Sequence, residues 1–106
     1  MNFVNFVVKK RSLADHDAAE AAAWYDEQAP GSGDDFLNEV QVALATLRHN
    51  ALFYAVRFED VRCLRLRRFK GYGVYYLILK NEVWVLAVLH GAREVKKIVM
   101  GRKTNG

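Results

Sequence analysis

The feature that most constrains this chain is a change of hydrophobic period near residue 60. Upstream, apolar residues recur at three- and four-residue spacing: Ala18, Ala21, Ala22 and Tyr25 with Trp24 beside them, then Phe36, Val40, Ala43, Leu44 and Leu47. Stripes of that kind lie on one face of a helix. Downstream come three segments of strand length, 61–69, 72–80 and 83–90, rich in β-branched and aromatic residues. The two halves cannot share one type of structure. The expectation is an α+β domain in which an antiparallel helical hairpin packs on a mostly antiparallel sheet.

Local signals set the boundaries. Residues 2–10, with Phe3, Val4, Phe6, Val7 and Val8, read as a first strand. Ser12 with Asp15, and Ser32 with Asp35, resemble capping boxes, placing helices near 13–28 and 34–48. Pro30-Gly31-Ser32-Gly33 breaks the chain between them. Residues 49–60 read as a connecting loop. Lys80-Asn81-Glu82 fits a hairpin turn. Residues 72–79 are apolar on both faces and so belong at the centre of the sheet. Residues 1–100 are expected to form one domain, and 101–106 a polar, disordered tail.

Charge is divided as sharply as period. Residues 1–50 hold four Lys/Arg against eight Asp/Glu, whereas residues 51–106 hold twelve against four. Partners of the basic half should be anionic, either nucleic acid or an acidic protein segment. Cys63 is the only cysteine. It cannot form an internal disulfide or a cysteine zinc site, so it reads as a buried structural thiol. No cofactor and no metal are expected. No apolar run reaches the roughly 18–20 residues of a membrane span. Lys9, Lys10 and Arg11 follow the apolar opening, the wrong side for a secretory signal, and the expected location is the cytoplasm.

Several segments in this order are familiar. Ala22-Ala23-Trp24-Tyr25-Asp26 followed by Gly31 to Phe36-Leu37 resembles the helical hairpin of ParE-like toxins, the plasmid-stabilisation branch of the RelE/ParE superfamily of type II toxin–antitoxin systems. Leu66-Arg67-Arg68-Phe69, the pair Tyr75-Tyr76, and residues 85–93 ending His90-Gly91-Ala92-Arg93 resemble its C-terminal strands. The family often has Pro before the Tyr, where this chain has Lys70-Gly71. The resemblance implies a curved sheet, a toxin that arrests bacterial growth, and a cognate antitoxin that wraps it with an acidic, apolar tail.

It also bears on mechanism. The RelE branch cleaves messenger RNA on the ribosome with a set of Lys, Arg and a C-terminal Tyr. Here the lysine positions fall on Leu64 and Leu66, an arginine position on Gly73, and no Tyr follows Arg93. The resemblance therefore implies the ParE branch, whose members inhibit DNA gyrase by binding. Two alternatives stay open: a ribosome-dependent endoribonuclease using Arg65, Arg67, His90 and Arg93, and an inactive relic that only binds its antitoxin.

Candidate contacts to antitoxin or target are Arg65, Arg67, Arg68, His90 and Arg93. Arg62, Arg65, Arg67, Arg68 and Lys70 place five cations within nine residues. Arg65 and Arg67 share parity opposite Leu64 and Leu66, which suits bidentate capture of carboxylates or phosphates. If the chain were a ribonuclease, His90 would be its acid or base and Arg93 its phosphate clamp. Tyr72, Tyr75 and Tyr76 read as core aromatics.

Overall fold

The computed structural model describes residues 5–103. Along the chain run β1 (Val7–Lys10), α1 (Ser12–Gln28), α2 (Ser32–Asn50), a 3-10 turn (Ala51–Phe53), β2 (Val56–Phe58), β3 (Val61–Arg65), β4 (Tyr72–Leu79), β5 (Glu82–His90) and α3 (Val95–Lys103). The five strands form one sheet in the order β1-β5-β4-β3-β2. All neighbours are antiparallel except β1, which the helical hairpin returns parallel to β5. The α+β expectation, with β4 central, holds. Residues 2–4 of the expected first strand lie outside the described residues.

The hairpin follows from small residues. Ala14, Ala18, Ala21 and Ala22 of α1 face Phe36, Val40, Ala43 and Leu47 of α2, all buried. At the crossing, a Cβ on Gly33 would lie 2.5 Å from the Ala22 carbonyl oxygen, so glycine sets the close approach. The expected capping boxes are not formed. Ser12 and Ser32 are the first helical residues, one place too late for their hydroxyls to cap, and neither helix has a side-chain cap from its N-cap residue. Instead the Asp26 carboxylate of α1 accepts from the Gly31 and Gly33 amides (3.2 and 2.8 Å) and caps α2 across the turn. Gly31 takes the left-handed φ of 92° that this geometry requires.

Two stretches depart from the sequence reading. Residues 49–60 are ordered as the last turn of α2, the 3-10 turn and β2, pinned by Arg62, whose guanidinium donates to the Leu52 and Tyr54 carbonyls (3.3 and 2.6 Å). Residues 101–103, assigned to a tail, belong to α3; residues 104–106 lie outside the described residues.

α3 explains why β4 and β5 are apolar on both faces. The hairpin covers Leu64, Leu66, Val74, Tyr76, Val83, Val85 and Val88 on one side. Val95 and Val99 of α3 cover Val61, Cys63, Tyr75, Leu77, Leu86, Ala87 and Leu89 on the other. A bulge makes this possible: Tyr75 pairs with Ala87 but Tyr76 with Val85, so Leu86 is the extra residue that shifts the parity of β5. Its freed carbonyl accepts from Arg102 at 3.0 Å. Arg102 also grips both carboxylate oxygens of Asp17 on α1, and Asp17 is the one buried charged residue among those described.

Candidate functional site

The expected 61–69 strand ends at Arg65. Leu66 still donates to the Tyr72 carbonyl (3.0 Å), and Tyr72 to that of Phe69 (3.1 Å), closing a loop over Gly71 at φ 90°. Arg67, Arg68 and Lys70 therefore project from this loop, not from a ladder. The loop is anchored by aromatic packing: Phe69 lies edge-on to Phe36 and Tyr25, with centroids 5.1 and 4.8 Å apart.

β2 pairs with Val61 and Arg62, and the Cys63 amide donates to the Ala55 carbonyl (3.4 Å); beyond them Leu64 and Arg65 have no strand on that edge of β3 among the described residues. Beside that edge and α2 runs a groove of about 750 Å³. Val42, Ala43, Tyr54, Leu64 and Leu66 contribute apolar lining, and Arg65, Arg67 and Arg68 one rim. Arg68 is held by Asp35 at 3.6 Å while its amide donates to Glu39 (3.1 Å). Arg65 and Arg67 make no ion pair among the described residues. The five cations of this segment thus divide. Arg62 is structural, Arg68 is anchored to the wall, and Arg65, Arg67 and Lys70 carry unpaired charge.

His90 and Arg93 are brought elsewhere, to a pocket of about 260 Å³ bordered also by Glu20, Trp24 and Tyr72. The His90 Nδ1 accepts from the Ala92 amide at 3.0 Å, and its ring lies edge-on to Tyr72 with centroids 5.2 Å apart. A Cβ on Gly71 would collide with the imidazole, so the ring packs on bare backbone. These contacts shape the turn that presents Arg93. The five expected site residues form two groups, one on the groove and one at the end of β5.

On the α3 side of the sheet, Gly73 faces Cys63 and Tyr75. A Cβ there would stand 2.5 Å from the Cys63 Sγ and 3.3 Å from the Tyr75 ring. Burial pushes the Cys63 thiol up. Burial, reinforced by Cys63, pushes the Tyr75 phenol up to about 12, and burial does the same to Tyr76. An acid whose folded pKa exceeds its unfolded value stabilises the fold fully only below the unfolded pKa. Stability should therefore fall as pH rises from about 10 towards 12. Chemical denaturation at stepped alkaline pH, read with tyrosinate absorbance, checks this; stability constant across that window would contradict it.

Sequence reasoning missed a second basic cleft, of about 550 Å³, where Arg57 and Phe58 of β2 meet Lys96 and Lys97 of α3. Its signal was the Arg-Phe pair inside what read as a loop. Among the described residues no cluster of His, Cys, Asp or Glu is placed to hold a metal ion, and no helix is long and apolar enough to cross a membrane.

A family model of the ParE toxin of the type II toxin–antitoxin system parDE matches residues 8–95. A solved structure described as the chromosomal ParDE TA system from P. aeruginosa aligns with a TM-score of 0.71 at 17% identity, over 80% of this chain and 95% of that one. At that identity the likeness is one of fold. The comparison with curated proteins gave no match.

Proposed function

The chain belongs to the ParE toxin family of type II toxin–antitoxin systems, and from that premise we propose that it arrests growth by binding DNA gyrase, and that a cognate antitoxin silences it through the groove beside α2. The observation that carries the reading is Gly73. RNA cleavage by 2′-hydroxyl attack needs a proton acceptor, a donor to the leaving oxygen, and cations at the phosphorane. At the position where the resemblance to the RelE branch implies an arginine, Cys63 and Tyr75 occupy the space a side chain would need. The two implied lysine positions, Leu64 and Leu66, are buried under the helical hairpin. Tyr75, with its phenol near 12, is no base at neutral pH. A binding interface asks only for an apolar patch with a charged rim.

The groove has that composition. An acidic, apolar antitoxin tail would lay its hydrophobic side chains along Val42, Leu64 and Leu66 and its carboxylates against Arg65 and Arg67. His90 positions the turn, and Arg93 faces the target.

Reversing Arg65 and Arg67 to Glu should weaken the toxin–antitoxin complex at least about tenfold in low salt and flatten its salt dependence. Affinity unchanged at both low and high salt would remove this surface from the interface. The target is read in cells. Induction without antitoxin should stop thymidine incorporation before amino-acid incorporation; the reverse order would favour a ribosomal target.

A further inference from the structure

We propose that the cleft between β2 and the start of α3 is a second binding site, on the opposite side of the sheet from the antitoxin groove, and that it takes a single-stranded segment of nucleic acid. Its walls carry Arg57, Arg93, Lys96 and Lys97 against one carboxylate, Glu94. None of these four cations makes an ion pair among the described residues. Their neighbours on α3 differ: Arg102 is committed to Asp17, and Lys103 to Asp60 at 2.7 Å. Cations that face one concavity without counterions repel one another, and an anionic occupant relieves that repulsion.

The floor narrows the class of anion. Phe58 lines the cleft and stacks on Tyr75, with centroids 6.4 Å apart and planes 20° from parallel, while the Arg57 guanidinium lies 5.8 Å over the Phe58 ring. Flat aromatic and guanidinium surfaces framed by flexible cations fit a chain that presents planar bases and phosphates together. An acidic peptide would use the charge and leave the stack unused. A duplex would offer its phosphates and keep its bases paired. Such a site binds its strand without cutting it.

The inference shares Arg93 with the target-facing surface proposed above, but its test does not rest on that reading, because binding is measured on the isolated full chain with substitutions at Arg57 and Lys97, which that reading does not use. The probe is a fluorescein-labelled oligothymidylate of about 12 nucleotides, within the usual range of single-strand sites, followed by anisotropy across a salt series. We expect log affinity to fall linearly with log salt, by about 0.7 per phosphate contact. The double variant Arg57→Glu/Lys97→Glu should bind at least about tenfold more weakly with a shallower slope. Both residues are exposed, so thermal unfolding should be unchanged. Lys80→Glu, in the β4–β5 turn outside the cleft, changes net charge as much as either cleft substitution made singly; it is the control for Arg57→Glu and Lys97→Glu taken one at a time and should have a small effect. An abasic strand of equal length should bind several-fold more weakly than the thymidylate. The proposal is overturned by absent binding at low salt, or by equal losses in the cleft and control variants. It is equally overturned by indifference to the bases, by a preference for duplex, or by displacement of the probe by acidic peptide alone.

Discussion

Replacing Arg102 by alanine should lower stability by about 3–5 kcal/mol, the range found when one partner of a buried ion pair is removed. The Arg102 guanidinium donates to both carboxylate oxygens of Asp17 and to the Leu86 carbonyl, with side chains only 16% and 5% exposed. After the substitution, the Asp17 carboxylate keeps a single donor, the Val88 amide at 3.0 Å. For a domain of this size such a loss is a large share of the roughly 5–15 kcal/mol available, and the midpoint of thermal unfolding should fall by more than about 12 °C. Asp17→Leu combined with Arg102→Met should recover most of it, because an apolar pair of similar volume removes the stranded charge. A calorimetric loss under about 1 kcal/mol for Arg102→Ala would mean that α3 is not held this way.

Phe36→Ala is the second large effect, about 3–5 kcal/mol for a fully buried ring. Phe36 is wholly buried and stands at the centre of an aromatic cluster with Tyr25, Phe69 and Tyr72, at centroid distances of 5.4, 5.1 and 5.1 Å. Two of those partners, Phe69 and Tyr72, bound the loop that carries Arg67 and Arg68. The cavity should therefore loosen the groove rim as well as the core. Antitoxin affinity should drop under conditions where the variant is still folded, and hydrogen exchange in residues 66–71 should accelerate. Normal antitoxin affinity with lowered stability would separate core from rim.

What the sequence revealed depended on length and period. The hairpin was legible because α1 and α2, at 17 and 19 residues, each repeat an apolar stripe over several turns. β4 was legible because its run of apolar residues has no polar face. α3 was hidden by its composition: four of its nine residues are cations, its last three read as part of a polar tail, and just two of its residues, Val95 and Val99, are buried. The signal that called for it lay elsewhere, in the second apolar face of β4 and β5, which needs a cover. Asp17 hid in an alanine-rich helix, since one carboxylate on an apolar stripe does not name a partner 85 residues away. The alternation of Leu64 and Leu66 continued past the strand, which ended because the chain turns at Gly71 to meet Tyr72. The five cations of residues 62–70 are neighbours in sequence, but the strand expected to carry them ends at Arg65, and ion pairs and carbonyl contacts, which depend on the fold, decide which remain unpaired.

The central claim is that this toxin acts by binding gyrase and leaves RNA intact. It is tested most directly by titrating the purified chain into a supercoiling reaction with purified gyrase and relaxed plasmid, alongside primer extension on a message under translation. The account predicts dose-dependent loss of supercoiling, relieved by adding the cognate antitoxin, with the message uncut. Full supercoiling at saturating toxin together with site-specific cuts in the translated message would contradict it.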